Sequence, residues 1–375
     1  MHTATEAWYP IADPDGLPTP SLCFYTSRIE ANIAEALRIA GRPERLRPHV
    51  KTCKSPDVVA MLLRAGVSRF KCATLAEAEM LAQAGARDVL VAYPLIGPNV
   101  TAFTALCRTY PGVRFYPTVD SPDAVQALEA AAAAASLTLE TAVDLNVGMN
   151  RTGVAPGQPS EALYRMIADK PHLAPGGIHA YDGHVQDRDF DARRASAAIT
   201  VAALRELRSV LESEGLVVPR IVAGGTPTFP CHAEIPEFEL SPGTCFLHDG
   251  GYLEQHPDLQ FLPAALIVGR VVSKPSAGLI TVDIGSKAIA TDAAGPRGTI
   301  LNLPESKPVG QSEEHWVFRL PSSGTAPRIG DLMYVLPRHI CPSVEHYDYA
   351  AAVDDDGRVC ARWPITARGR ELSFM

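Results

Sequence analysis

Between Arg28 and Ala223 the chain alternates helical and strand-like segments, and this alternation constrains its fold more than any other feature. Apolar residues at helical spacing (Ile29, Ile33, Ala36, Leu37, Ile39) predict a helix over 28–40. A strand around His49–Thr52, a helix over 57–65, the strand Arg69-Phe-Lys-Cys72, a helix over 75–84 and the strand Val89–Tyr93 follow. The same reading then gives helices near 99–109, 122–135, 160–168 and 190–214, alternating with strands at 113–116, 139–145, 177–181 and 220–223. Short apolar strands separated by helices belong to a parallel sheet covered on both faces. Roughly eight such units in about 230 residues suit a closed (β/α)8 barrel. A doubly wound open sheet would give the same pattern.

After Tyr252 the texture changes. Leu266–Ser273, Leu279–Ile284, Trp316–Leu320 and Leu332–Leu336 read as strands separated by Pro/Gly turns, with little helical periodicity. The chain is therefore expected to be α/β, with a barrel over 21–254 and a C-terminal β-domain over 255–375.

Composition narrows the function classes. A 375-residue chain with 46% hydrophobic and 20% charged residues has the balance of a soluble globular protein. Its net charge of −8 argues against nucleic acid or an anionic membrane as partner. No apolar run has the length of a membrane span, and Met1–Trp8 lacks the basic-then-apolar order of a secretion signal. Eight scattered cysteines without Cys-x-x-Cys spacing suit reduced thiols, so a cytoplasmic location is expected.

Five stretches carry possible chemistry. In Arg47-Pro-His-Val-Lys-Thr-Cys-Lys, strand alternation would turn His49, Lys51 and Cys53 to one face. A lysine on an inward face loses its charge readily and becomes a nucleophile toward carbonyls, whereas an edge lysine is merely solvated. In Ala142–Gly153 an acidic strand runs into a Gly-rich loop bearing Arg151, which could equally be a surface arginine paired with Asp144. Gly177-Ile-His-Ala-Tyr-Asp-Gly-His184 ends a strand, where barrels place catalytic groups. Ile221–Thr228 closes a strand with Gly224, Gly225 and Thr226, a loop type whose N–H groups cradle phosphate. In Leu336–Ser343, His339 and Cys341 stand two apart on an expected extended stretch, so that both could face one metal ion.

Taken in order, these stretches resemble the D-threonine aldolase and D-serine dehydratase family, fold-type III relatives of alanine racemase. The resemblance covers nearly the whole chain, with Asp283–Lys287 and Ser312–His315 as further similar segments to which no chemistry is assigned. It implies a TIM-like barrel binding pyridoxal 5'-phosphate (PLP), a β-domain with which residues 1–20 pack, and a homodimer. Residue by residue it implies that Lys51, not Lys54, binds PLP covalently, that Arg151 lies beside the phenolic oxygen, and that Tyr181 lies against the ring. Gly224, Gly225 and Thr226, with Gly243 and Thr244, would take the phosphate. His184 falls where aldolases of the family carry a histidine, a suitable base for the proton of a β-hydroxyl.

His339 and Cys341 match the family's metal motif. The cysteine is typical of the zinc-using dehydratases, whereas aldolases tend to carry aspartate and to use manganese or similar ions. The expected activity is a PLP- and metal-dependent lyase acting on a small β-hydroxy-D-amino acid, of the D-threonine aldolase type. A D-serine or D-threo-3-hydroxyaspartate dehydratase is the alternative. Less favoured are an amino-acid racemase, for which Tyr334, Tyr347 and Tyr349 are candidate acids, and a non-catalytic PLP-binding protein.

Overall fold

The computed structural model describes residues 7–322 and 324–375. The first six residues, on which part of the secretion-signal expectation rests, lie outside the described residues. The chain divides into two compact units, one made of Ala34–Gly243 with Gly369–Met375, the other of the segment through Ile33 with Thr244–Arg368.

The first unit is a ring of parallel strands. Seven of them pair in chain order: Arg69–Cys72, Asp88–Val91, Arg114–Val119, Leu139–Leu145, Leu173–Ala180, Ile221–Ala223 and Phe238–Leu240. Helices such as Leu75–Gln83, Pro98–Thr109, Pro122–Ala135 and Phe190–Ser213 supply the crossovers that parallel pairing requires. Their starts are written locally: Thr74, Ser121 and Asp189 cap by accepting the amides of Glu77, Ala124 and Ala192. Leu46 and His49 form parallel bridges to Leu240 on one side and Lys71 on the other, so this segment closes the ring as its eighth member. Arg47, fully buried, holds the closure by ion pairs of 2.6 Å to both Asp88 and Glu239. The barrel reading is therefore the right one, and the open sheet is excluded.

Two local expectations need correction. The lysine segment is strand-like only to His49; Val50–Cys53 is a turn, so strand alternation does not decide which way Lys51 faces. Ser21–Tyr25, expected within the barrel region, is instead a strand of the other unit. It pairs parallel to Tyr349–Val353 and antiparallel to Ala265–Ser273. Being flanked on both sides explains why Leu22, Cys23 and Phe24 are all buried.

That second unit is a nine-stranded mixed sheet. It contains the four expected strands together with Gly298–Ile300, Lys307–Gln311, Tyr349–Val353 and Val359–Pro364, which the sequence reading did not name. Its core gathers Cys23, Tyr25, Leu266, Val268, Tyr334, Leu336 and Val353, with Ile11 and Leu17 from the N-terminal turns. The similar segments near 285 and 313 lie side by side, Ser286 N donating to Ser312 O and Lys287 N to Glu313 O. Among the described residues no helix is long and apolar enough to cross a membrane.

Candidate active site

In the barrel unit the predicted side chains gather at the C-terminal ends of the strands. Lys51 sits in the turn after the closing segment, half-buried, and makes no ion pair among the described residues. Lys54, three residues on, is occupied: it is buried, adopts a left-handed backbone (φ 48°) and places Nζ 2.6 Å from Glu77 Oε1. Desolvation, then the nearby Lys51, Lys71 and His179, hold His49 well below the ordinary imidazole value, so it is neutral.

Tyr181 is the hub. The Lys51 Nζ, the Lys71 Nζ and the Arg151 guanidinium carbon lie 5.7, 5.8 and 5.1 Å from its ring centroid. Arg151 does not pair with Asp144. That carboxylate accepts instead from Thr152 Oγ1 (2.9 Å) and from His179 Nδ1 (2.7 Å), leaving the guanidinium toward the aromatic ring. The loop carrying Arg151 is shaped by Asn146, whose Oδ1 accepts the amides of Gly148 and Asn150. Gly148 has φ 123°, and a Cβ there would fall 2.6 Å from His184 Nε2. His184 thus rests on the backbone of the Arg151 loop.

The Gly-Gly-Thr turn is built as a close cradle. A Cβ on Gly225 would meet the Tyr181 ring at 2.8 Å, so only glycine allows this approach. Thr228 Oγ1 accepts the Gly225 amide (3.3 Å) and donates to Asp182 Oδ1 (2.7 Å). Asp182 Oδ2 is 2.6 Å from His232 Nε2. Burial would raise the Asp182 carboxyl, but His232 and Thr228 hold it below the usual range. Gly243 joins this cluster by donating its amide to Thr226 Oγ1 (3.3 Å). Thr244 does not: its hydroxyl is 3.4 Å from Cys341 Sγ, in the other unit. A small cleft lined by Asp144, Met149, Arg151, His179 and Tyr181 among others opens beside this ring.

Asp182, Thr228, His232, His179 and Lys71 were not singled out from sequence. His179, Asp182 and Thr228 lie inside stretches that were, and the available signal was a polar residue inside an apolar strand or just past its end; Lys71 and His232 lie outside all five.

In the β-domain unit the strand Leu332–Pro337 ends before the metal motif. His339 is the N-cap of the short helix Ile340–Val344, and Cys341 is in its first turn, so their meeting is not a matter of strand alternation. The two side chains nevertheless hydrogen-bond. His339 Nδ1 is also 2.6 Å from Asp292 Oδ2. Burial opposes its protonation, yet Cys341 and Asp292 together raise the imidazole to about 9. No group of three or more His, Cys, Asp or Glu suited to a metal ion occurs among the described residues; His339 and Cys341 are two donor groups in hydrogen-bond contact.

Residues 25–247 match the profile of the alanine racemase N-terminal domain, and residues 264–353 match that of a serine dehydratase domain. The chain belongs to the alanine racemase N-terminal domain family. Within that family it is similar to D-threonine aldolase of Arthrobacter sp., with 28% identity over 94% of this chain and 93% of the relative. It is similar also to D-threo-3-hydroxyaspartate dehydratase of Delftia sp., with 26% identity over 92% and 96%. The crystal structure of D-threonine aldolase from Filomicrobium marinum superposes with a TM-score of 0.88 at 28% identity, covering 95% and 96% of the two chains. The chain is accordingly a lyase of the fold-type III, PLP-dependent class.

The barrel unit fits that cofactor. Among the described residues it has an amine without an ion pair at Lys51, an aromatic face at Tyr181, a guanidinium at Arg151 and a glycine turn at Gly224-Gly225 with the buried Thr226 beside it.

Proposed function

We propose that this protein cleaves β-hydroxy-D-amino acids by retro-aldol chemistry, D-threonine to glycine and acetaldehyde being the model reaction. The observation that carries the reading is the exposed His184 seated against Gly148 in the loop of Arg151, whose guanidinium shares the Tyr181 ring with Lys51. Its curated aldolase relative supports the carbon–carbon bond as the one broken.

Lys51 would hold PLP covalently, Arg151 would keep the phenolic oxygen anionic, and Gly224, Gly225, Thr226 and Gly243 would bind the phosphate. PLP, when bound, serves as the electron sink for the carbanion left by bond cleavage. Tyr181 would fix the plane in which the substrate's α-carbon lies. His184 would take the β-hydroxyl proton on its imidazole as the Cα–Cβ bond breaks. Lys51 would be the amine that returns a proton to the α-carbon. His339 and Cys341 would hold a divalent ion, zinc or manganese, whose contribution is Lewis acidity toward a substrate oxygen.

One observation favours a second reading. A thiol beside His339 is a soft donor that suits zinc, and the chain is also similar to a dehydratase. In that case Lys51 would remove the α-proton, hydroxide would leave, and water would hydrolyse the resulting enamine to an oxo acid and ammonia.

A product assay separates them. The protein loaded with PLP and with zinc or manganese is given D-threonine and assayed for glycine and for 2-oxobutanoate. Glycine that disappears with chelator and in H184A supports the aldolase; oxo acid and ammonia replace it with the dehydratase. A homodimer, checked by light scattering, belongs to the same proposal.

A further inference from the structure

Lys71 has no part in the reaction just described, yet few side chains are more unusually placed. It lies on the strand Arg69–Cys72 inside the barrel and is 2% exposed. A lysine at that depth is ordinarily matched by a carboxylate, as Lys54 is by Glu77. The neighbour of Lys71 is an imidazole: Nζ stands 3.5 Å from His179 Nε2. The state of that imidazole is set from its far side. Asp144 is an acceptor, so His179 Nδ1 carries the hydrogen between them and Nε2 presents a lone pair to Lys71. Burial keeps His179 neutral against the pull of Asp144. Thr152, next to Arg151, donates to the same carboxylate. A line of contacts therefore runs from the Arg151 loop through Asp144 and His179 to Lys71, and Lys71 shares the Tyr181 ring with Lys51.

The charged and titratable groups facing this amine are His49 from the closing segment, Lys51 from the turn after it, Asp144 and Arg151 from the strand end and its loop, and His179 and Asp182 from the next strand and the loop that follows it. Burial first, then Lys51, lowers the amine; Asp144 and Asp182 oppose this and Arg151 adds to it, leaving it at about 7. The two amines lie 5.7 and 5.8 Å from the centre of one aromatic ring, so a charge on Lys71 raises the cost of a charge at Lys51.

We propose that Lys71, positioned by His179 and Asp144, is a second working amine of the PLP pocket whose charge sets the protonation state of the Lys51–PLP linkage. The inference rests on the reading that Lys51 holds PLP. Lys71 is a positioning residue in this account: it acts on Lys51 through the field and proton of its own amine. Protonated, it disfavours a proton on the linkage; deprotonated, it permits one.

Two measurements test this without relying on turnover. In the apo-protein, NMR of lysines labelled at the ε-position should show one amine titrating near neutral pH, still present in K51A. In the PLP-loaded protein, visible absorbance followed against pH reports the linkage directly. In K71M its titration should move up by about one pH unit or more, while K71R, which keeps a charge, should leave it at or below the wild-type position. The proposal is overturned if every apo lysine titrates above pH 9, or if K71M leaves the absorbance titration where it was. Should K71M not fold, the apo measurement needs no substitution at 71. A K51A protein that retains the wild-type PLP spectrum would instead defeat the underlying reading, whatever Lys71 does.

Discussion

Asp182 Oδ2 and His232 Nε2 stand 2.6 Å apart with both side chains wholly buried, and through Thr228 this pair reaches the amide of Gly225. The turn assigned to the PLP phosphate is thus shaped from beneath by three residues that touch no cofactor themselves. D182N keeps the size but surrenders the charge and leaves His232 and Thr228 poorly matched, at a cost of about 1–3 kcal/mol. PLP affinity, measured by fluorescence titration of the apo-protein, should fall ten- to a hundred-fold. Pyridoxal without phosphate should bind D182N and wild type alike. Equal loss for both compounds would sink the assignment of this turn to phosphate.

Lys51 and Lys54 are distinguished by their surroundings, and their variants should differ in kind. K51A removes an amine without an ion pair and should keep the wild-type melting temperature while losing the visible absorbance of bound PLP. K54M strands the buried Glu77 carboxylate, at a cost of about 3–5 kcal/mol. Its loss should appear as lowered thermal stability even without cofactor. If K54M instead melted as wild type and lost the absorbance, the two roles would have to be exchanged.

The barrel was legible because helix and strand periodicities differ and because capping residues mark helix starts; Leu139–Leu145 and Pro122–Ala135 appear as expected from sequence. Closure was less visible. Leu46–His49 is too short and too rich in Arg and Pro to read as a full strand, and the turn after it follows from pairing on both sides. Ser21–Tyr25 carries no mark of which sheet it joins, since that depends on partners more than 240 residues away. Lys71 escaped notice for a related reason. A lysine that shares a four-residue strand with an arginine looks solvated until the strands on either side are known to enclose it.

Gly148 is where the His184 position can be probed without touching the histidine. G148A must accommodate a Cβ 2.6 Å from His184 Nε2, where the imidazole can give way, and a φ of 123° that strains the Arg151 loop itself. If His184 is the base, turnover should fall about tenfold or more with little change in PLP affinity. Steady-state kinetics beside a PLP titration separates these effects. An unaltered kcat would mean that the imidazole position is immaterial to the reaction.

Lys71 also makes a stability prediction with a definite sign. Its folded value near 7 lies below that of an ordinary lysine, about 10.4, so between these limits the unfolded chain holds a proton that the folded chain lacks. Stability contributed by this residue therefore rises with pH across that window. K71M should melt higher than wild type at pH 6.5, by an amount on the order of a few kcal/mol, and the advantage should vanish toward pH 10.5. Melting of the two apo-proteins across this range is the check; an advantage that does not shrink as pH rises contradicts a depressed amine.

Asp292 was outside every sequence motif, yet its Oδ2 is 2.6 Å from His339 Nδ1. A carboxylate on that nitrogen fixes the ring and leaves Nε2 as the ligating atom, the arrangement by which metal-binding histidines are commonly oriented. D292N should weaken metal binding about 10–100-fold while sparing PLP binding in the barrel unit. Competition against a chelating indicator gives the affinity, and activity lost in D292N should return as zinc or manganese is raised. C341S should shift the preference away from zinc, because a hydroxyl is a harder donor than a thiolate. If D292N binds metal as tightly as wild type, His339 does not depend on that carboxylate and the pair is a surface contact only.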